Sequence, residues 1–428
     1  METKLNTLNV CVVGLGYIGL PLAVTAAQHG LMLHGFDVDK NKVNAINHKH
    51  TYFDEPSLDI ELHNAVSSGN LVASNEIQEA DVYVVAVPTP IDQSNGQADL
   101  SFVRDAFDSI ASVLKAGSLI IIESTCPVGT TDQMASYLQS SRTDLKVAGT
   151  SRNDDVHIAY CPERILPGQA MQELKTNSRI IGGLTSACRT FASEFYGSFV
   201  QGGIFEVTSP KTAEMIKLVE NSFRDVNIAF ANQLSLLCHE LDCDVWEVIE
   251  FANKHPRVNI LRPGAGVGGH CIAIDPEFLI SKGSQRSTHL LAVAREVNND
   301  KPKWVKEQLE EMISKEAKKR SLSARDLTIV FNGLTFKPDV EDTRESPAIE
   351  IVKNFTSEHN NKVYVTDPNL TEVPSDLVNK VTLADHTKLL NLGYIHVVLV
   401  AHKEYKATRW DENVLLDICG IYSKKFHI

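Results

Sequence analysis

The chain has 428 residues, 43% hydrophobic and 22% charged, with a formal net charge of -13. That length allows two or three domains and a substantial core, and the acidic balance argues against nucleic acid as the main partner while still allowing a local basic pocket for a phosphate. No apolar run reaches the roughly 18 to 20 residues that cross a bilayer, and the eight cysteines lack disulfide-like spacing or a Cys-x-x-Cys pair, so a soluble, cytoplasmic protein without a membrane partner is expected.

An apolar run at residues 9–13 suits a buried parallel strand and leads at once into Gly14-Leu15-Gly16-Tyr17-Ile18-Gly19. A helical stretch at 20–29 and a second strand at 31–36 ending on Asp37 complete a dinucleotide fingerprint. Gly14 permits the tight turn, Gly16 lets the backbone approach a pyrophosphate, Gly19 allows close helix packing, and Asp37 can bind a ribose hydroxyl pair. NAD is expected over NADP, whose 2′-phosphate Asp37 would repel. Strands predicted at 82–87 and 119–123 run into Pro88-Thr89-Pro90 and Ser124-Thr125-Cys126-Pro127-Val128-Gly129. These are carboxyl ends, where an open parallel sheet holds its ligands. Thr125 is a site candidate, or the cap of a helix starting near Thr130. A strand at 156–160 enters Cys161-Pro162-Glu163-Arg164-Ile165-Leu166-Pro167-Gly168. Glu163 there is either a carboxylate turned toward a substrate or a surface partner of Arg164.

From Pro210 to about Asn253 the pattern is helical with almost no breakers, which marks a domain boundary near residue 205. The helix is apolar on more than one face, so burial by a partner subunit is expected. Lys217 and Asn221 lie four apart on one face; they either stabilise an oxyanion or belong to a solvated surface. Cys238, His239 and Cys243 have no second ligand pair, and no metal site is expected there. Arg257 and Arg262 can grip a diphosphate or be ordinary surface charge. They precede Pro263-Gly264-Ala265-Gly266-Val267-Gly268-Gly269-His270-Cys271-Ile272-Ala273-Ile274-Asp275-Pro276. The glycines let the backbone turn tightly and approach a ligand. The stretch reads as a cradle delivering a thiol nucleophile, or as a glycine-rich turn with a buried cysteine. After a helix at 290–317, the charged segment 315–325 looks like a linker. Strands at 327–331, entering Asn332-Gly333-Leu334, and at 363–366, ending on Asp367-Pro368, imply a second α/β unit with an incomplete fingerprint. Lys337, Asp342, Arg344 and Glu345 crowd its first loop, as a solvated cluster or a phosphate grip.

Over nearly its whole length the chain resembles the UDP-glucose/GDP-mannose dehydrogenase family. The likeness rests on Gly14 to Gly19, Pro88-Thr89-Pro90, Ser124-Thr125, Pro162-Glu163-Arg164, Lys217 to Asn221, Gly268-Gly269-His270-Cys271, and Phe336-Lys337 through Arg344-Glu345-Ser346-Pro347. It implies an α/β fold with an N-terminal NAD-binding Rossmann domain at 1–205, a central all-helical dimerisation domain carrying the Cys271 loop at 206–318, and a C-terminal Rossmann-like UDP-sugar domain at 319–428. Cys271 would be the nucleophile, with Lys217 and Asn221 steadying the oxygen at the oxidised carbon. Asp275 and Thr125 would support proton transfer and water placement, and Glu163 would be the base for thioester hydrolysis. Tyr17, Ile18, Asp37, Lys42, Pro88, Thr89 and Arg344 match cofactor contacts. Arg164, Leu166, Gly264, Gly266, Gly268, Phe336 and Lys337 match the substrate side, and Arg257 matches an arginine lent to the neighbouring subunit of a homodimer.

The implied reaction is a four-electron oxidation at C6 of a nucleotide sugar, because an aldehyde has no second hydride to give until a thiolate adds to it. His270 stands where the UDP-glucose enzymes usually carry serine, which is typical of the branch acting on UDP-N-acetylhexosamines. The neighbouring motifs resemble the mannosamine type more than the glucosamine or galactosamine type. Two rival readings are a two-electron hydroxyacid dehydrogenase with a structural Cys271 and a non-catalytic dinucleotide-binding module.

Overall fold

A computed structural model describes residues 8–92, 96–148, 151, 155–166, 168–390, 392–410 and 414–422, so Pro167 of the segment singled out above lies outside the described residues. The chain folds as two compact units, the first ending at Val219 and the second beginning at Glu220.

The first unit is built on a nine-stranded sheet of order β11-β10-β9-β7-β4-β1-β2-β3, with β8 beside β9. Its strands are β1 (Asn9–Val13), β2 (Met32–Phe36), β3 (Leu71–Ser74), β4 (Val82–Val85), β7 (Leu119–Ile122), β8 (Lys146–Val147), β9 (Asp155–Tyr160), β10 (Arg179–Gly183) and β11 (Ile204–Val207). A separate ribbon pairs β5 (Ile91–Asp92) with β6 (Gln97–Ala98). Sheet pairings are parallel except for β9 with β10. The helices are α1 (Gly19–Gln28), α2 (Lys40–Asn47), α3 (Leu58–Ser67), α4 (Ser101–Val113), α5 (Thr130–Ser141), α6 (Ala170–Thr176) and α7 (Ser186–Gly197). Strands such as Leu-Ile-Ile-Ile of β7 are apolar throughout because both faces of the sheet are covered, each by its own core cluster. The chain runs from β1 outward to β2 and β3 on one side and to β4 and β7 on the other, so the carboxyl end of β1 is a topological switch point.

Helix α8 (Pro210–Glu240) begins in the first unit and continues into the second. The second unit adds α9 (Val245–Ala252), α10 (Asp275–Lys282) and α11 (Gln285–Arg320). It also holds a parallel sheet of order β14-β13-β12-β15-β16, made of β12 (Ile329–Asn332), β13 (Val363–Thr366), β14 (Thr382–Leu383), β15 (Ile395–Val398) and β16 (Leu415–Asp417). Helices α12 (Pro347–Glu358), α13 (His386–Leu389) and α14 (Lys403–Lys406) complete it. The carboxyl end of β12 is again a switch point, with β13 and β15 on either side.

Two helical expectations need correction. The stretch from Pro210 to Asn253 is two helices, because Asp242 adopts a left-handed φ of 55° and the Cys243 amide closes onto Cys238 O at 2.8 Å. Asp244 then caps α9 by accepting from Trp246 N at 2.9 Å and Glu247 N at 3.4 Å. The charged segment 315–325 is no simple linker, since α11 continues to Arg320. Basic residues in its last turn complement the helix dipole. The apolar residues of α8 lie on more than one side, with Leu218, Ala229, Ala231 and Cys238 buried. Within the second unit its buried positions include Asn221, Asp225, Asn232 and Ser235, while Phe223, Phe230 and Leu237 are exposed.

Candidate active site

In the first unit, three strand ends converge. Gly14 has φ +92°, and a Cβ there would sit 2.6 Å from Ala86 O, so the turn after β1 lies directly against the loop after β4. A Cβ on Gly19 would fall 1.8 Å from Gly14 O, which is why α1 can pack so closely on β1. Gly16, by contrast, faces open space, leaving its backbone accessible to a ligand. Asp37 Oδ2 accepts from Leu15 N at 2.9 Å and pairs with Lys42 Nζ at 3.5 Å, while Oδ1 accepts from Asp39 N at 2.9 Å. A cradle with no room for a side chain at Gly14 and Gly19, opening at a helix N-terminus beside the Asp37 carboxylate, fits NAD. Tyr17 is exposed and lies over Phe53 at 4.2 Å, and the Tyr52 hydroxyl donates to Leu15 O. Phe53 and Tyr52 were not found from the sequence.

The loops after β4 and β7 are stitched together. Thr89 Oγ1 donates to Thr125 O at 2.6 Å, and Ser124 Oγ accepts from Val87 N at 2.9 Å. Thr125 does not cap α5. That helix begins after Gly129, and its first turn is held by Glu214 of α8, whose carboxylate accepts from Gly129 N at 2.6 Å, Thr131 N at 2.8 Å and Thr131 Oγ1 at 2.6 Å. Burial pushes the Glu214 carboxyl up, opposed by these hydrogen bonds. A remote carboxylate replaces the local cap that the sequence pattern suggested.

The segment after β9 is fixed by acceptors. Glu163 accepts from Ile165 N, Glu173 from Leu166 N at 2.7 Å, and Glu55 from Gly168 N and Ala170 N, both at 2.7 Å. Glu163 is buried and its partner is Lys217 of α8 at 3.8 Å, not Arg164. Arg164 instead reaches Ser178 O at 3.4 Å, and Leu166 is exposed.

In the second unit, Asn221 Nδ2 donates to Asp275 Oδ2 at 2.6 Å, both residues being buried. Cys271 is an exposed thiol rather than half of a disulfide. Its carbonyl accepts from Ile274 N at 3.1 Å and Asp275 N at 2.9 Å, which folds it onto the start of α10, where a helix dipole favours negative charge. The preceding glycines are needed for close approach to the loop after β12. A Cβ on Gly268 would lie 2.2 Å from Glu345 O, one on Gly269 2.7 Å from the Phe336 ring, and one on Gly266 2.9 Å from Pro347. Gly264 N donates to Asn232 Oδ1 at 2.9 Å.

That loop carries the expected charge cluster. Arg344 is held by Asp342 through Nε at 2.9 Å and Nη2 at 2.5 Å, and Lys337 lies 5.6 Å from the Phe336 ring centroid. Desolvation and the Arg344 charge hold the His270 imidazole below its ordinary value, opposed by Asp342 and Glu345. His402 was missed. It is buried, with Nε2 at 3.2 Å from Asp367 Oδ2 and Nδ1 accepting from Asp339 N at 3.1 Å, so it props the Phe336 loop from behind. Arg257 is exposed on the segment after α9, and Arg262 lies over the Trp246 ring at 5.8 Å.

Residues 8–200, 211–300 and 330–424 match, in turn, the NAD binding, central and UDP binding domains of the UDP-glucose/GDP-mannose dehydrogenase family. The UDP-N-acetyl-D-mannosamine dehydrogenase of Campylobacter jejuni is 45% identical over 95% of this chain and 98% of its own length. The NDP-N-acetyl-D-galactosaminuronic acid dehydrogenase of Ralstonia solanacearum is 43% identical over 97% of this chain and 96% of its own. Among solved structures, the UDP-D-ManNAc dehydrogenase of Pyrococcus horikoshii superposes with a TM-score of 0.85 at 34% identity, covering 97% of this chain and 96% of that one. With both nucleotide-type sheets, the glycine cradle and the cysteine loop in the family's order, the chain belongs to the UDP-glucose/GDP-mannose dehydrogenase family.

Proposed function

We propose that this protein oxidises the C6 hydroxyl of UDP-N-acetylmannosamine to the uronic acid, using two NAD per sugar, for surface polysaccharide biosynthesis in the cytoplasm. The observation that carries the reading is the exposed Cys271 thiol at the head of α10, a nucleophile for which a two-electron oxidation of an alcohol has no use. The likeness to the mannosamine enzymes supports the choice of sugar.

Bound NAD supplies the hydride acceptor. The chain's own residues do the rest. The Lys217 ammonium and the Asn221 amide, four apart on one face of α8, steady the oxygen at C6 as its proton passes to water with the support of Asp275 and Thr125 and the carbon loses a hydride. Cys271 thiolate adds to the resulting aldehyde, forming a C–S bond and a thiohemiacetal alkoxide that the same pair stabilises. Loss of the second hydride leaves a thioester. Water then attacks the carbonyl carbon, Glu163 takes its proton, and the C–S bond breaks to return the thiolate and release the acid. Asp275 orients Asn221, and Thr125 helps to place the water. Arg344 and the Gly14 to Gly19 cradle serve the cofactor. Arg164, Leu166, Phe336, Lys337 and the Gly264 to Gly268 loop serve the UDP-sugar. The working division is a cofactor part at 1–205, a central part at 206–318 and a UDP-sugar part at 319–428.

The exposed apolar stripe of α8 supports a homodimer, in which Arg257 reaches the neighbouring site. Among the described residues no helix is long and apolar enough to cross a membrane. The likeness to the galactosaminuronic acid enzyme favours a second reading, in which the sugar differs at C2 or C4. The test is to offer UDP-ManNAc, UDP-GlcNAc, UDP-GalNAc and UDP-glucose with NAD and to record rate and NADH yield. UDP-ManNAc should be fastest and yield two NADH. One NADH per sugar, or unchanged acid formation by Cys271→Ala, would overturn the thioester route.

A further inference from the structure

The buried face of α8 carries a chain of polar side chains that meets a second such chain on α11. Lys301 Nζ donates to Ser235 Oγ at 2.6 Å, and Ser235 Oγ donates to Asn232 O at 2.6 Å. Asn232 Nδ2 donates to Asn298 Oδ1 at 2.9 Å, and Asn298 Nδ2 donates to Asp225 Oδ1 at 2.8 Å. Arg295 Nη1 donates to the same Asp225 oxygen at 2.8 Å, and its Nε lies 3.9 Å from Glu277 Oε1 in the first turn of α10. Asn232 and Asp225 are 0% exposed, Asn298 1% and Lys301 2%, so this seam places polar groups in an interior where a satisfied network fixes one arrangement.

The seam ends on both sides of Cys271. One end is Gly264 N, which donates to Asn232 Oδ1 at 2.9 Å where the glycine loop begins. The other is Glu277, two residues into the helix that closes the loop. The direction of the amides follows from chemistry. Asp225 Oδ1 already accepts from Arg295 Nη1, so Asn298 turns its NH₂ to that oxygen and its own oxygen to Asn232. Asn232 then turns its NH₂ to Asn298, which leaves its own oxygen for Gly264. The loop's glycines have no side chains with which to hold their own geometry, and the seam supplies it from outside.

We propose that Asn232 is a positioning residue for the thiol, its carboxamide oriented by Asn298 and Asp225 so that Gly264, and with it the Cys271 loop, is held in one place. The proposal rests on the reading of Cys271 as nucleophile. Asn232→Ala is expected to lower kcat about 10- to 100-fold, as a misplaced reacting group does. The KM values for NAD and UDP-sugar should stay within about threefold. In enzyme without ligands, hydrogen exchange should rise in the peptide spanning residues 261–274 while the sheets keep their protection. Iodoacetamide should alkylate Cys271 at an altered rate. Asn298→Ala, which keeps the acceptor for Gly264 but removes what orients it, should show a smaller effect of the same pattern. It decides the matter by the same readouts if Asn232→Ala does not fold. A fall in kcat without any local change in exchange, or unchanged kcat, overturns the proposal. If exchange changes as expected while Cys271→Ala still makes acid, the nucleophile reading fails and the positioning of the loop stands.

Discussion

Asn221 on α8 donates to Asp275 on α10 across 2.6 Å, and the bond ties the helix that also carries Lys217 to the first turn after Cys271. One of the two N–H groups of the amide is spent on Asp275, and the other remains for the oxyanion proposed above. Asn221→Asp would set two carboxylates face to face in a buried site. A loss of about 100-fold or more in kcat is expected, with a loss of about 1–3 kcal/mol in stability from the broken buried pair. NADH formation and urea unfolding of the variant measure the two effects separately. A variant with near-normal kcat would remove Asn221 from the oxyanion role.

Glu163 and Lys217 form a second buried relationship, at 3.8 Å. Glu163 is the base proposed for the last step only, so Glu163→Gln should still carry out both hydride losses once. The expected record is a burst of NADH followed by a steady rate lower by about 100-fold or more. Mass spectrometry of the intact protein should then find the sugar acyl group on Cys271. No burst, or a burst without the adduct, assigns Glu163 another task. Lys217→Ala should instead slow the first hydride loss and, by leaving Glu163 buried without its cation, lower stability.

How far the sequence reached is clearest at Asp37 and Asp367. The first was found through its glycine fingerprint. The second stands in the same place without one: Gly333 has φ 92° like Gly14, Gly333 N meets Thr366 O at 2.8 Å as Gly14 N meets Phe36 O at 2.8 Å, and Asp367 Oδ2 takes Leu334 N at 2.7 Å as Asp37 Oδ2 takes Leu15 N at 2.9 Å. A strand, a turn glycine and an acid ending the next strand were enough to read a second unit. Local signals of this kind are legible because each residue acts on its own turn. Even so, Asp244 with Glu247 three residues on was a readable helix start that the apolar pattern of 210–253 concealed. Glu214, His402 and the Asn232 seam were not legible in the same way. Their partners lie far along the chain, and nothing in the spacing of α8 says that Asp225 and Asn232 would face inward while Phe223 and Phe230 face out.

The outward phenylalanines of α8 lead to a prediction about assembly. Phe223 is 68% exposed and Phe230 57%, and with Met215, Val219 and Leu237 they recur at intervals of four and seven along one side of α8. A second copy pairing through this stripe would bury it. Phe230→Glu should sediment as one chain where the parent sediments as two. Its activity should also fall if Arg257 completes the neighbouring site, and dissociation with full activity would separate the pairing surface from any role of Arg257.

Lys301 gives the seam a pH dependence. Its ammonium is 2% exposed, touches Ser235 Oγ at 2.6 Å and sits 3.7 Å from the Trp304 ring centroid, and burial holds it down at about 7 against the slight opposing effect of Cys419. In the unfolded chain a lysine keeps its proton up to about 10.4. Between about 7 and that value the unfolded state therefore binds more protons than the folded one, and stability rises with pH. Below about 7 both states are protonated, so the cost of burying the charge is present in full and has no slope. Lys301→Met, similar in volume, should remove that cost. The variant should gain about 1–3 kcal/mol over the parent near pH 6.5, less the lost Ser235 bond, and the gain should shrink steadily toward pH 9 to 10. Urea unfolding of both proteins across that range gives the comparison. Parallel stability curves would mean that Lys301 keeps its proton in the folded protein, with Ser235 and the Trp304 face offsetting its burial.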